Sequence, residues 1–389
     1  MERIPLLLMF LGHVAVDASQ GILPVVAARL KELFDLSYFQ IGLMMLLLNF
    51  SSSVIQPLFG FISDRVRTGW FVPGGILWTA VAMGLLGLAP NYATALLLVG
   101  LAGIGTAAFH PRAMMAVYLA SGLKRGLGAA IFSTGGNLGF ALGPVIGSLL
   151  VLGIGLHATV GLIPVGLLLF AVIVAYPGDF LRREARPVSP AAVPGAAPAR
   201  DPIPWRAITA VCLIVTLRSW VYMSMITYLP LYFQDRGIQL QSGSLILTVY
   251  LACGAVAGLF GGHLSDTIGR KQVIVASALL YPFLAALLLL SHGPWIWILA
   301  GASGAALLAS FSVTIVLTQE LLPRYIGLAS GLILGLSFGT GGLGTALSGF
   351  LADRIGLAST FWILAAAPLF IVPLVHLIRT PAAGKTGMT

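Results

Sequence analysis

The sequence is short of charge and almost free of cysteine. Only 8% of its 389 residues are Asp, Glu, Lys or Arg, against about 25% in soluble domains, so water is excluded as the main solvent. Its 2 cysteines, Cys212 and Cys253, lie inside apolar runs, which excludes a disulfide framework and leaves them as small core residues. Strand-like segments of alternating polarity are missing, which argues against a β-barrel. There is no G-x-x-x-x-G-K-[ST] phosphate loop, so ATP is not expected to drive this chain directly. Neither an H-x-x-x-H pair nor a Cys/His cluster occurs; no metal or other cofactor is expected, an ion at His13, Asp17 and His110 being the minor alternative.

What remains is apolar, with 58% hydrophobic residues and a mean hydropathy of +1.00. A hydrocarbon core about 30 Å thick needs roughly 20 apolar residues per helical crossing, leaving room for about a dozen. Apolar runs punctuated by polar residues predict spans near 4–30, 37–63, 70–89, 92–120, 126–152 and 156–176, then 206–233, 241–265, 270–290, 294–319, 326–352 and 358–378. The fold expected is an all-α membrane protein of twelve helices in two six-helix bundles, residues 1–176 and 206–380, with a proline-rich linker at 177–205 and a tail at 381–389. The first apolar stretch contains His13 and Asp17 and is followed by eleven more, so it reads as an uncleaved helix and not a secretory signal.

The net charge of +9 does not point to nucleic acid, because the basic residues are scattered between apolar runs instead of forming a patch. With the amino terminus in the cytoplasm, that side receives 15 Lys and Arg and the other side 4, namely Arg29, Lys31, Arg236 and Arg354. This positive-inside bias places both termini and the linker in the cytoplasm.

The two sets of spans repeat. G-F-I-S-D at 60–64 returns as G-H-L-S-D at 262–266, and the same shift of 202 carries Gly139 onto Gly341 and Gly147 onto Gly349. Parallel repeats of this kind place a binding site between two rocking halves. The loops themselves, with Gly60, Asp64 and Arg65 in one and Gly262, Asp266, Arg270 and Lys271 in the other, resemble the signature loop of the major facilitator superfamily. In such a loop the glycines permit close helix approach, and the two aspartates would face the N-terminal ends of spans 11 and 5, latching the cytoplasmic side. Glu320, at the same end of span 10, is expected to anchor that gate.

Span 5 carries Gly135, Gly139, Gly143 and Gly147 at intervals of four, with Pro144 after the third. It looks like the glycine-proline motif of antiporters in that superfamily, although a tight helix crossing needs the same residues. F-H-P at 109–111, Q-E-L-L-P-R-Y-I-G at 319–327, G-T-G-G-L-G at 339–344 and the G-H-V-A-V-D of span 1 are similar to the fosmidomycin-resistance branch. That resemblance implies a proton-driven exporter of an anionic phosphonate, working as a monomer in the cytoplasmic (inner) membrane and needing only a small-molecule substrate, protons and the bilayer.

A charge at the bilayer centre costs about 2.5–3.5 kcal/mol on insertion scales, so the intramembrane ions are the first candidates: Asp17, Arg112 and Arg218. His13, Asp17 and Gln20 share one helical face. Asp17 is a candidate for proton coupling, as are His13 and His110, because protonation of a desolvated carboxylate responds to bound charge. Arg218 shares a face with Tyr222, a pairing suited to a carboxylate, phosphate or phosphonate, though an ion pair of Arg218 with Asp17 is the competing expectation. Arg112, two residues from His110, should point away from it and is a weaker substrate contact. Asn49, Ser52 and Gln56 form a polar stripe on span 2, open to a pathway or to interhelical hydrogen bonding.

Two directions of transport stay open. If Asp17 holds a donor group of the substrate, protonation expels the substrate and antiport follows. If Asp17 holds Arg218, protonation frees the arginine for an anion and symport follows. A receptor or intramembrane enzyme is a distant third, because no nucleophile–base set stands out.

Overall fold

The computed structural model describes residues 1–65, 69–122, 124–176, 204–322 and 326–378. Among them there are 16 α-helices and no strand. The first half holds α1 (Arg3–Gly21), α2 (Leu23–Phe34), α3 (Tyr38–Ser53), α4 (Gln56–Arg65), α5 (Phe71–Leu86), α6 (Tyr92–Ala120), α7 (Arg125–Gly147) and α8 (Leu162–Ala175). The second holds α9 (Trp205–Asp235), α10 (Leu240–Ile268), α11 (Arg270–Leu290), α12 (Trp295–Leu308), α13 (Phe311–Leu321), α14 (Ile326–Ile355), α15 (Leu357–Ala366) and α16 (Ile371–His376).

Sixteen helices make twelve crossings because several spans are interrupted. Span 1 breaks at Ile22, where Pro24 near the start of α2 lacks the N–H needed to continue the ladder. Span 2 breaks at Val54 and Ile55 ahead of Pro57, span 10 at Ala309 and Ser310, and span 12 runs through a 3-10 turn at Ala367–Phe370 opened by Pro368. Span 5 ends in a π-helical turn, Ser148–Leu152. Among the described residues, ten helical spans are long and apolar enough to cross a membrane; the shorter Phe71–Leu86 and the 30-residue α14 complete the set. Side chains such as Leu259 (73% exposed) and Phe283 (62%) point outward, a surface that only a bilayer makes favourable. The linker expected at 177–205 lies outside the described residues up to 203, and α9 already begins at Trp205; the tail at 381–389 is also outside them.

The repeat is visible in the packing. Gly139 of α7 sits on the backbone of Val14 in α1, and its repeat mate Gly341 of α14 sits on Ser219 and Met223 of α9. Across the halves α3 packs on α14, and α7 packs on α10, the same contact with the halves exchanged. All four motif glycines, Gly135, Gly139, Gly143 and Gly147, face α1 and its continuation, meeting Phe10, Val14, Gly21 and Ile22 in turn. Their geometry is that of a tight crossing inside one half.

A cluster of hydrogen bonds seals the halves together at the end opposite the chain termini. The backbone N–H groups of Tyr38 and Phe39 donate to the two carboxylate oxygens of Asp353 at 2.8 and 2.9 Å. Tyr38 Oη donates to Asp235 at 2.8 Å, Tyr228 Oη donates to the Tyr38 carbonyl at 2.8 Å, and Gln234 donates to Glu32 at 2.7 Å. Asp353, at the end of α14, thus caps the free N–H groups of α3, where the helix dipole also favours a negative charge.

Candidate functional site

Halfway along α1, His13 and Asp17 stand one turn apart and meet His110 of α6. His13 Nε2 is 3.2 Å from Asp17 Oδ2, His110 Nε2 is 3.5 Å from Asp17 Oδ1, and the two Nε2 atoms are 3.1 Å apart. Each ring is held from behind, with Nδ1 of His13 at 2.8 Å from the Phe132 carbonyl and Nδ1 of His110 at 2.9 Å from the Thr106 carbonyl. A carbonyl only accepts, so each Nδ1 carries a hydrogen and each Nε2 turns a lone pair toward the carboxylate. The His13 ring stacks on Phe132 with centroids 4.0 Å apart. Gln20 Nε2 donates to Asp17 Oδ1 at 3.3 Å, so the polar face expected on span 1 is present as a connected group.

Two imidazole lone pairs and a carboxylate converging at these distances repel one another unless a positive charge lies between them. A contact of 3.1 Å between the Nε2 atoms is a hydrogen bond only when one of the rings carries a second hydrogen. The three side chains thus turn their polar atoms onto one shared point between α1 and α6.

Asp17 also borders a cavity of about 260 Å³ between the halves, together with Asn137, Phe140, Arg218, Tyr222 and Phe311. His13 and His110 are not among its lining residues. Arg218 is 2% exposed; its Nη1 donates to the Ser310 carbonyl at 3.1 Å and to Thr314 Oγ1 at 2.9 Å, and its guanidinium lies 4.9 Å from the Phe311 ring centroid. Among the described residues its Nη2 has no hydrogen-bond partner. The expected alternative ion pair between Arg218 and Asp17 is not the arrangement found: the carboxylate belongs to the histidines and Gln20, and the arginine to α13 and Ser310.

The other candidates fall elsewhere. Arg112 is buried, with Nη1 at 2.7 Å from Met115 Sδ, and neither it nor His110 is among the cavity residues. Asn49 donates to the Met45 carbonyl and Ser52 to the Asn49 carbonyl, so the stripe on span 2 bonds its own helix, with Asn49 beside Gly342 of α14. Gln56 opens α4 and is half-buried.

The sequence matches the family model of the Major Facilitator Superfamily over residues 9–245 and 233–387. The chain belongs to this superfamily. It is 31% identical to the fosmidomycin resistance protein of Escherichia coli strain K12, covering 92% of this chain and 89% of that one. It is equally 31% identical to an uncharacterized MFS-type transporter, YfnC, of Bacillus subtilis strain 168, over 94% of this chain and 90% of the other. Among solved structures, the nucleoside transporter NupG superposes with a TM-score of 0.78 at 12% identity, over 96% of this chain and all of that one. Membership makes the chain a multi-pass membrane transporter with a small-molecule substrate.

Among the described residues, the contacts of the second signature loop run within the second half. Asp266 pairs with Arg270 at 2.5 Å, and Arg270 also reaches Glu320 at 3.1 Å, which ties α10, α11 and α13 together within the second half. Lys271 donates to the Ile378 carbonyl, again within that half, and Gly262 lies beside Ser312. Gly60, Asp64 and Arg65 lie outside the residues whose surroundings are described. The cross-half seal found instead, at Tyr38, Asp235 and Asp353, had no sequence motif to announce it. Gly136 was also missed: a Cβ there would lie 2.6 Å from His13 Cε1 and 2.8 Å from Asp17 Oδ2. Its signal was the Gly135–Gly136 doublet, in which only the first glycine is needed by the helix crossing.

Proposed function

We propose that this transporter is a proton-coupled antiporter that exports a small polar or anionic organic compound, of the phosphonate type, across the cytoplasmic membrane. The observation that carries the proposal is the placing of Asp17, the front member of a proton-holding triad, on the same cavity as a buried arginine with an unfilled donor. A buried guanidinium lacking a counter-anion costs several kcal/mol, and an anionic group of the substrate supplies that charge. The substrate's donor end then competes with the triad's proton for Asp17, so that binding one weakens the other. Similarity to a fosmidomycin resistance protein supports export and an anionic substrate class.

With both termini cytoplasmic, as the charge bias indicates, the sealed end is the outer one and the cavity belongs to an inward-facing state ready to load substrate from the cytoplasm. The chain works as a monomer, since the site is formed by one chain's two halves.

One feature favours uptake instead. A second proton on the triad adds positive charge beside the cavity that Arg218 borders, which attracts an anion and would make proton and substrate travel together. Proteoliposomes with an imposed pH gradient separate the two directions. A labelled phosphonate that moves against the proton flow supports export; one that accumulates with it establishes symport.

A further inference from the structure

We propose that His13, Asp17 and His110 form a binding site for a transition-metal dication of the Zn2+ type, with the ion's fourth coordination position turned toward the central cavity. The proposal uses the same three side chains as the coupling scheme but does not depend on that scheme being right.

Zn2+ holds imidazole nitrogen and carboxylate oxygen at about 2.0–2.2 Å in tetrahedral sites, which sets neighbouring ligand atoms about 3.3–3.5 Å apart. The triad shows 3.1 Å between the two Nε2 atoms, 3.2 Å from His13 to Asp17 Oδ2 and 3.5 Å from His110 to Asp17 Oδ1, and with one ligand atom from each residue the set lies within 4.8 Å. A rotation of the Asp17 carboxylate would bring one oxygen within reach of an ion held by both imidazoles.

The atoms behind the triad meet the other requirement of a metal site. Metal-binding histidines donate their second ring N–H to a carbonyl or carboxylate, which fixes the tautomer and aims the lone pair. Both rings do this here, at Phe132 and Thr106, and Gln20 steadies the carboxylate.

Room for the ion comes from Gly136. A methyl group there would press on His13 and on Asp17 Oδ2, so the missing side chain leaves open the side of the triad that faces the cavity, of which Gly136 and Asp17 are both part. An ion arriving through the cavity would meet Asp17 first. Two imidazoles and one carboxylate are a borderline-soft set that selects Zn2+, Co2+ or Ni2+ over Mg2+ or Ca2+. On the coupling scheme above, an ion held there halts transport.

The test uses the full chain, purified in detergent without a histidine tag, and titrated with Zn2+ by calorimetry and with Co2+ by visible absorption. One equivalent should bind, with a tetrahedral Co2+ spectrum and no response to Mg2+. Affinity should fall by at least about tenfold in His13→Gln and in His110→Gln, but not in His263→Gln or His376→Gln, which remove histidines remote from the triad. Gly136→Ala retains every ligand and should also weaken binding, so a variant that misfolds does not decide the outcome. Unchanged affinity in both triad variants, or an octahedral Co2+ spectrum abolished by the remote variants, overturns the site. Retention of pH-driven transport by Asp17→Asn would sink the coupling scheme and leave the metal site standing.

Discussion

The Nε2 atoms of His13 and His110 stand 3.1 Å apart, while each ring has committed its Nδ1 hydrogen to a backbone carbonyl. The Asp17 carboxylate closes the group, 3.2 Å from one Nε2 and 3.5 Å from the other.

The first prediction concerns Asp17. Asp17→Asn keeps the shape and the Gln20 contact but removes the negative charge that faces the two imidazoles. Substrate exchange without a gradient should persist, whereas accumulation driven by a pH gradient should fall to that of empty liposomes. Full gradient-driven transport in this variant would remove Asp17 from the mechanism.

Gly136→Ala tests the same site without touching a titratable group. The added methyl overlaps His13 and Asp17, so gradient-driven transport should drop at least tenfold, on the order of the 1.4 kcal/mol that a tenfold change represents. Gly143→Ala makes a contrast, because its Cβ would collide with the backbone of Gly21. There the expected loss is stability, about 1–3 kcal/mol for an overpacked crossing, read as a lower melting temperature.

Arg218→Lys keeps a positive charge but gives up the planar fork that reaches Ser310 and Thr314. Hydrogen bonds to charged groups contribute about 1.5–3 kcal/mol, so KM for an anionic substrate should rise roughly ten- to a hundredfold, with a smaller change for a neutral one. Equal effects on both would show that Arg218 serves packing and not anion recognition.

The seal at Asp353 yields a conformational prediction. Asp353→Asn removes the carboxylate that caps Tyr38 and Phe39, and the α3–α14 contact should open more often. In a background with Cys212 and Cys253 changed to Ser, a cysteine introduced by Leu46→Cys should react several-fold faster with an impermeant thiol reagent added outside. Unchanged reactivity would place the seal in residues other than Asp353.

Much of this was legible in the sequence, and the parts that were not share a cause. Spans 92–120 and 270–290 match α6 and α11 because punctuation and hydropathy agree there. The shift of 202 between the halves reappears as Gly139 on α1 and Gly341 on α9. His13 and Asp17 were readable as a pair because helical spacing alone brings them together. Their union with His110, 97 residues away, depends on how α1 meets α6, which no local pattern encodes. Asp353 capping a helix 315 residues distant is hidden for the same reason. The second signature loop places Asp266 against Arg270 in its own half, and the cross-half seal at Asp353 lies at the other end.

The most direct test records both fluxes at once in proteoliposomes loaded with a phosphonate, using an internal pH dye and a labelled substrate. If the account is right, phosphonate leaves as protons enter, collapsing the gradient stops net export, and Asp17→Asn uncouples the two fluxes. Phosphonate flux that ignores the gradient, with no proton movement when substrate is added, would contradict it.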